Sequence, residues 1–311
     1  MTGAVLVVGA SGFVGRNLVD RFVARGMPVF AVVGRRGTVL PGTEATVALS
    51  DLASLPALPE DTVVVHLAAQ RYDAGRFELA QSDIVTANTE IANAVFRFCL
   101  ERGLKEVRMA SSVAVYPGGL ATLDDAVPVD LNAPPNRNEA FYAWSKRWAE
   151  ITARLHHERF GISTISFRLS NPYGPHDSTD PRSAHVLPAF VMRALDDGPV
   201  FEIKGNPLVE RDFIFIDDAV EAFWRSLALR GVQDEVNLCR GETTTLLDLA
   251  RTILEVAGSD KRLQAGETET QGVLARRSTN GRLRRLFDDL AFTPLADGLR
   301  PTIDWYRDAR G

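Results

Sequence analysis

The chain has 311 residues, 45% of them hydrophobic and 24% charged, with a formal net charge of −5. That length suggests about two domains and allows a large buried core. The basic residues are scattered, which gives no ground for a nucleic-acid or membrane-surface partner, and no apolar run approaches the length of a membrane span.

The first element is the apolar run Ala4-Val5-Leu6-Val7-Val8, followed by Gly9-Ala10-Ser11-Gly12-Phe13-Val14-Gly15 and an amphipathic stretch to Arg25. The run is too short, and lacks the basic region and cleavage site, to be a secretory signal, so it reads as a strand and the cytoplasm is the expected location. Strand, glycine turn and helix in this order form a phosphate cradle. Gly9 and Gly12 let backbone N–H groups approach a pyrophosphate, with Ser11, Phe13 and Val14 beside them, and Gly15 allows the helix to pack closely on the strand.

Beyond it, short β-branched runs at 29–33, 45–49, 63–67, 107–111 and 162–168 alternate with helical patterns near 16–25, 83–102 and 142–160. This repetition predicts an α/β fold with a doubly wound parallel (Rossmann) sheet. From Asn171 the rhythm loosens through Pro172, Pro175, Pro181 and Pro188, which predicts a second, smaller α/β substrate domain. The strand-like Arg211–Ile216 and the helix after Asp217 return toward the first unit. The expected division is therefore interleaved: 1–170 plus about 208–232 for the dinucleotide, and 171–207 plus about 233–311 for the substrate. Cys99 and Cys239 are isolated in apolar stretches, which reads as buried reduced thiols and supports neither a disulfide nor a metal site.

Tyr142 and Lys146 stand four residues apart in Phe141-Tyr142-Ala143-Trp144-Ser145-Lys146, the spacing that stacks two side chains on one helix face. An ammonium there lowers the proton affinity of a phenol that must exchange protons at neutral pH. Read without the amino terminus, the same pair is an ordinary surface pair. Cofactor choice is read from the end of the second strand, where NAD-preferring sites place an acid that accepts bonds from the ribose hydroxyls. Val33-Gly34 occupy that place here and Arg35-Arg36 follow, which favours NADP(H) over NAD. The alternative is that both arginines solvate a loop. Arg16 is a further candidate for the phosphates.

With both motifs placed, the sequence resembles the extended short-chain dehydrogenase/reductase family, the epimerase/dehydratase and reductase enzymes of nucleotide sugars, from Ala4 to Arg307. Ser111-Ser112-Val113-Ala114-Val115-Tyr116 resembles the family's catalytic Ser/Thr segment and selects Ser112. His66-Leu67-Ala68-Ala69 resembles the segment beneath the nicotinamide ribose, which implies contacts from Leu67, Ala68 and Ala69. Ser50-Asp51-Leu52 resembles the segment that meets adenine, which implies Asp51 and Leu52. Arg168 to Pro175 matches the crossing into the substrate domain, and Gly298 to Tyr306 the carboxy-terminal helix. The resemblance implies hydride exchange at a sugar carbon, with Tyr142 moving the proton, Ser112 bonding the oxygen and Lys146 holding the nicotinamide ribose.

Among the family's reactions, dehydration requires an acid pair after the catalytic serine; Val113 and Ala114 stand there. Local similarity is to the GDP-fucose synthase subfamily of NADPH-dependent 4-keto-6-deoxysugar reductases, which places His185 as an active-site histidine. The cysteine that works with it in that subfamily is Ala114 here, which implies direct reduction or a substrate-binding role for His185. A turn-capping histidine is its structural alternative. The resemblance also implies diphosphate contacts from Arg211 and from Arg276 or Arg277, a substrate contact from Asn171, and a homodimer through the helices near 83–102 and 142–160. The expected activity is NADPH-dependent reduction of a nucleotide-linked 4-keto-6-deoxyhexose. A nucleotide-sugar 4-epimerase is the first alternative and a non-catalytic dinucleotide sensor the second.

Overall fold

The computed structural model describes residues 3–34, 38–70, 81–182, 184–266 and 274–309. The amino-terminal run forms β1 (Val5–Val8), with all four residues buried. A strand covered on both faces gains nothing from alternation, which is why this one reads as continuous valine and leucine. It pairs in parallel with β2 (Val29–Val33) on one side and β4 (Val63–His66) on the other, and β3 (Ala45–Ala48) extends the β2 edge. Beyond β4 lie β5 (Glu106–Ser112), β6 (Ser163–Leu169) and β7 (Asp234–Leu238). The seven strands run in the order β3-β2-β1-β4-β5-β6-β7, all parallel, so the winding direction reverses between β1 and β4. At such a reversal the connections leave in opposite directions and open a crevice at the carboxyl ends of the strands.

Helices cover both faces. Val5 and Val7 pack into one cluster with Leu18, Val19 and Phe22 of α1 (Phe13–Ala24) and Phe223 of α5 (Ile216–Ser226). Leu6 and Val8 face the opposite cluster, with Val95 and Phe96 of α2 (Gln81–Glu101) and Ala149 and Ala153 of α3 (Ala140–Phe160). Each phenylalanine so buried stabilises the sheet–helix contact by about 1.5–3 kcal/mol. The stop of α3 is local: the helix ends at Gly161 in the left-handed region, φ 66°.

The remaining elements gather beyond the sheet. They include α4 (Val186–Ala194), α6 (Leu246–Ala257), α7 (Gly281–Leu286), α8 (Leu295–Asp308) and the parallel strand pair Val200–Ile203 and Arg262–Ala265. After Arg211, Phe213–Phe215 pairs with Asn171–Tyr173, and α5 packs on α1. One expected boundary moves. The division after residue 232 assigned Asp234–Leu238 to the second unit, whereas this segment is β7, paired with Ile165–Leu169 of the sheet. Its polar start, Asp234-Glu235, and its buried Asn237 hide it from a search for apolar runs. Asn237 is satisfied inside, accepting from the Tyr116 hydroxyl at 3.0 Å and donating to Leu123 and Thr279 carbonyls.

Candidate active site

A cavity of about 920 Å³ opens along the carboxyl ends of the central strands. Its floor is the glycine turn. Gly9 has φ 93°, and a Cβ there would lie 2.6 Å from the Ala68 nitrogen. A Cβ on Gly15 would lie 2.2 Å from the Gly9 carbonyl oxygen, so this glycine is what lets α1 sit on β1. Gly12 differs. The nearest heavy atom to a Cβ built there is 3.4 Å away, so the fold does not need that glycine, and the missing side chain leaves a hollow at the N-terminus of α1 facing the cavity. Backbone N–H groups without intrahelical partners surround such a hollow, which suits a diphosphate.

Ser11, Phe13 and Val14 also line the cavity, as do Leu67, Ala68 and Ala69 after β4. That connection is fixed by Asn88 of α2, which accepts the Gln70 N–H at 2.6 Å and donates to the Gln70 carbonyl and to Ser145 Oγ. Asp51 is exposed and Leu52 is buried in the core beneath the sheet, while the preceding Leu49 and Ser50 line the cavity. The cause is the tight turn over Leu49–Ser54, which rotates successive residues away from the wall. Arg16 is exposed on α1 and does not reach the cavity lining. Val33 and Gly34 line the end of β2, with no carboxylate beside them among the described lining residues; Arg35 and Arg36 lie outside the described residues.

Tyr142, Lys146 and Ser112 all line the same cavity. Lys146 Nζ donates to the Ala110 carbonyl at 2.8 Å and lies 5.6 Å from the centre of the Tyr142 ring. Burial pulls its ammonium down to about 8, with Glu150 opposing. Ser112 ends β5 and accepts the Ala114 N–H at 3.1 Å, which caps the turn Val113–Val115. His66 is buried, and burial followed by the charge of Lys146 pulls it down to about 3, so it stands neutral beside the site.

Strand and helix are locked below this point by residues that sequence reasoning passed over. Glu150, four residues beyond Lys146 and fully buried, accepts the Ser111 hydroxyl at 2.6 Å and takes Arg168 in a two-pronged pair at 2.9 Å on each oxygen. Arg168 in turn donates to the Tyr116 hydroxyl at 3.4 Å. The signal was available: Tyr142, Lys146 and Glu150 repeat the spacing of four along one helix face.

Arg276 lines the cavity and pairs with Glu139 at 2.8 Å, while Arg277 is 63% exposed, turned outward to Glu210 and absent from the lining. Of the two alternatives, Arg276 therefore faces the site. Arg211 lines it too, donating to the Glu210 carbonyl at 2.7 Å. Asn171 donates to the Asp212 carbonyl at 2.7 Å. Asp212, also unforeseen, is buried on the wall and accepts from the Arg240 and Gly241 N–H groups and the Ser170 hydroxyl; burial pushes its carboxyl up to about 6. His185 is exposed on the lining, immediately before α4, and its side chain does not cap that helix. Cys99 and Cys239 are buried thiols, and no helix among the described residues is long and apolar enough to cross a membrane.

A parallel sheet that reverses beside a glycine turn, with one long cavity above both, defines the dinucleotide-binding class of α/β proteins. Within that class the chain belongs to the NAD dependent epimerase/dehydratase family, whose model matches residues 5–239. It is 31% identical to a dTDP-4-dehydro-6-deoxy-D-allose reductase of Streptomyces bikiniensis, covering 97% of this chain and 96% of the relative. It is 25% identical to a probable GDP-L-fucose synthase of Drosophila melanogaster, with 97% and 96% covered. Among solved structures, a UDP-N-acetylglucosamine 4-epimerase from Methanobrevibacter ruminantium superposes with a TM-score of 0.84 at 22% identity, covering 99% of both chains. A GDP-L-fucose synthetase from Naegleria fowleri, bound to NADP, superposes with a TM-score of 0.80 at 20% identity, covering 99% of this chain and 94% of that one.

Proposed function

We propose that this protein is an NADPH-dependent reductase of a nucleotide-linked 4-keto-6-deoxyhexose. The observation that carries the reading is that one cavity is lined by the glycine turn with its hollow at Gly12, by Lys146, Tyr142 and Ser112, and by Arg211 and Arg276. The sequence relationship to a 4-keto-6-deoxysugar reductase points the same way. The hollow at Gly12 fits a dinucleotide's diphosphate, and the open space around a Cβ on Gly34 fits a ribose 2′-phosphate, which an acid at that place would repel. NADPH bound there supplies a hydride from nicotinamide C4 to the ketone carbon.

This chain's own residues then do the rest. Lys146 holds the nicotinamide ribose, and its charge stabilises the phenolate left when Tyr142 gives its proton to the ketone oxygen. Ser112 spends an oxygen lone pair on the Ala114 N–H, which turns its own hydrogen toward the substrate oxygen. Arg211 and Arg276 grip the sugar diphosphate, since planar guanidinium groups take phosphate oxygens in pairs. His185 and Asn171 contact the hexose. Val113 and Ala114 are buried and carry no acid or base, which argues for reduction without dehydration or epimerisation.

The apolar stripe Phe141, Trp144, Trp148 and Leu155, all exposed along α3, supports assembly as a homodimer. The function is tested with NADPH and a panel of nucleotide-linked 4-keto-6-deoxyhexoses and UDP-hexoses, following nicotinamide absorbance and sugar products. One NADPH consumed per sugar reduced, abolished in Tyr142→Phe with NADPH binding retained, is the expected result. A changed sugar without NADPH loss identifies a 4-epimerase instead, and binding without product a sensor.

A further inference from the structure

Glu139 has no part in the roles assigned above, yet its carboxylate lines the cavity. It immediately precedes α3, with φ −126° and ψ 10°, and its side chain makes no hydrogen bond to the helix it precedes. An anion at that place is ordinarily held by the positive end of the helix and its unpartnered N–H groups. This carboxylate turns instead to Arg276, at 2.8 Å and 137 positions away in the chain. Arg211 stands on the same wall; burial, and then the charge of Arg276, lower its guanidinium's proton affinity, and Glu139 opposes them. Two cations and one carboxylate thus share the end of the cavity assigned to the diphosphate. Tyr142 is the third residue after Glu139, in the first turn of the same helix.

Two effects of this placement oppose each other. A diphosphate seated on Arg211 and Arg276 meets a carboxylate of its own sign, which weakens binding. The same carboxylate ties Arg276 to the turn that carries Tyr142, which fixes the separation between the diphosphate anchor and the phenol. We propose that Glu139 is a positioning residue that sets the register of the nucleotide sugar, sacrificing affinity for the diphosphate so that the reacting carbon is held against Tyr142. The inference rests on the nucleotide-sugar reading of the cavity, and it follows the general rule that interactions realised in the transition state raise turnover while uniform binding does not.

The test uses the full chain as wild type, Glu139→Gln and Arg276→Gln. Each is titrated with dTDP, UDP and GDP, and then with NADPH. Turnover is measured on the 4-keto-6-deoxyhexose carried by the nucleotide that wild type binds most tightly. Glu139→Gln is expected to bind the nucleoside diphosphate about two- to fivefold more tightly, the scale of a partly exposed charge interaction. Its kcat is expected to fall about tenfold or more, as loss of positioning does. NADPH affinity stays at the wild-type value, and Arg276→Gln binds the diphosphate more weakly. Glu139→Gln that loses diphosphate affinity and turnover together, or changes neither, overturns the inference; so does parallel loss of NADPH binding, which marks a purely structural residue. Wild type that binds none of the three diphosphates sinks the nucleotide-sugar reading itself, and this inference with it.

Discussion

Alanine at Gly12 and alanine at Gly15 separate what the fold needs from what a ligand needs. At Gly12 the backbone, φ −78° and ψ 172°, is open to any residue, and the new methyl finds its nearest neighbour at 3.4 Å. The variant should fold as well as wild type, with a gain of about 0.4–1 kcal/mol from the stiffer unfolded chain. At Gly15 the methyl falls 2.2 Å from the Gly9 oxygen and 2.8 Å from the Ala10 Cα. Alanine's helix propensity favours it by about 1 kcal/mol. Both obstructing atoms are backbone, so α1 must lift from β1, and overpacking of this kind costs about 1–3 kcal/mol or more. The overlap wins, and Gly15→Ala is expected to melt below wild type. NADPH affinity reverses the ranking of interest: the Gly12 methyl fills the diphosphate hollow and displaces a charge-assisted N–H contact worth about 1.5–3 kcal/mol, a loss of about tenfold or more. Thermal melts without ligand and fluorescence titration with NADPH measure both. Gly12→Ala that melts normally and still binds NADPH at wild-type affinity would refute the assignment of the hollow.

The Lys146 ammonium, lowered by burial to about 8 from 10.5, is charged in both folded and unfolded chains below pH 8, where its burial cost is fully present. Between pH 8 and 10.5 the folded form loses its proton first, so this group's contribution to stability should rise by about 3 kcal/mol while NADPH affinity falls; melts and titrations across that window check both signs. Glu150→Gln leaves Arg168 charged and buried without its carboxylate, and should lose about 3–5 kcal/mol in urea unfolding, with part recovered in Glu150→Gln/Arg168→Gln. Trp148, 45% exposed on α3, lies in the apolar stripe, so Trp148→Glu should convert a dimer to a monomer in sedimentation equilibrium.

Several features were legible because their signals are local. β1 appears as unbroken apolar sequence because both faces of a parallel strand are buried, and Tyr142 and Lys146 declare a shared face by their spacing of four. The glycine turn carries its meaning in three positions of one heptapeptide. β7 was not legible, because its polar residues are satisfied by partners far away: Asn237 meets Tyr116 121 positions distant. That Leu49 and Ser50 line the cavity depended on how a tight turn faces the wall.

The sequence by itself thus determined six of the seven strands of the sheet, their parallel winding, the glycine turn and the shared helix face of Tyr142 and Lys146, since each is written in neighbouring residues. Only the tertiary structure decided between Arg276 and Arg277. Adjacent residues on an extended segment point to opposite sides, and the pairing of Arg277–Ser278 with Thr122–Leu123 sets which side meets the cavity. It alone brought Glu139 to Arg276, and Glu150 to Ser111 across 39 positions, because polar complementarity between distant segments exists only after the chain has folded.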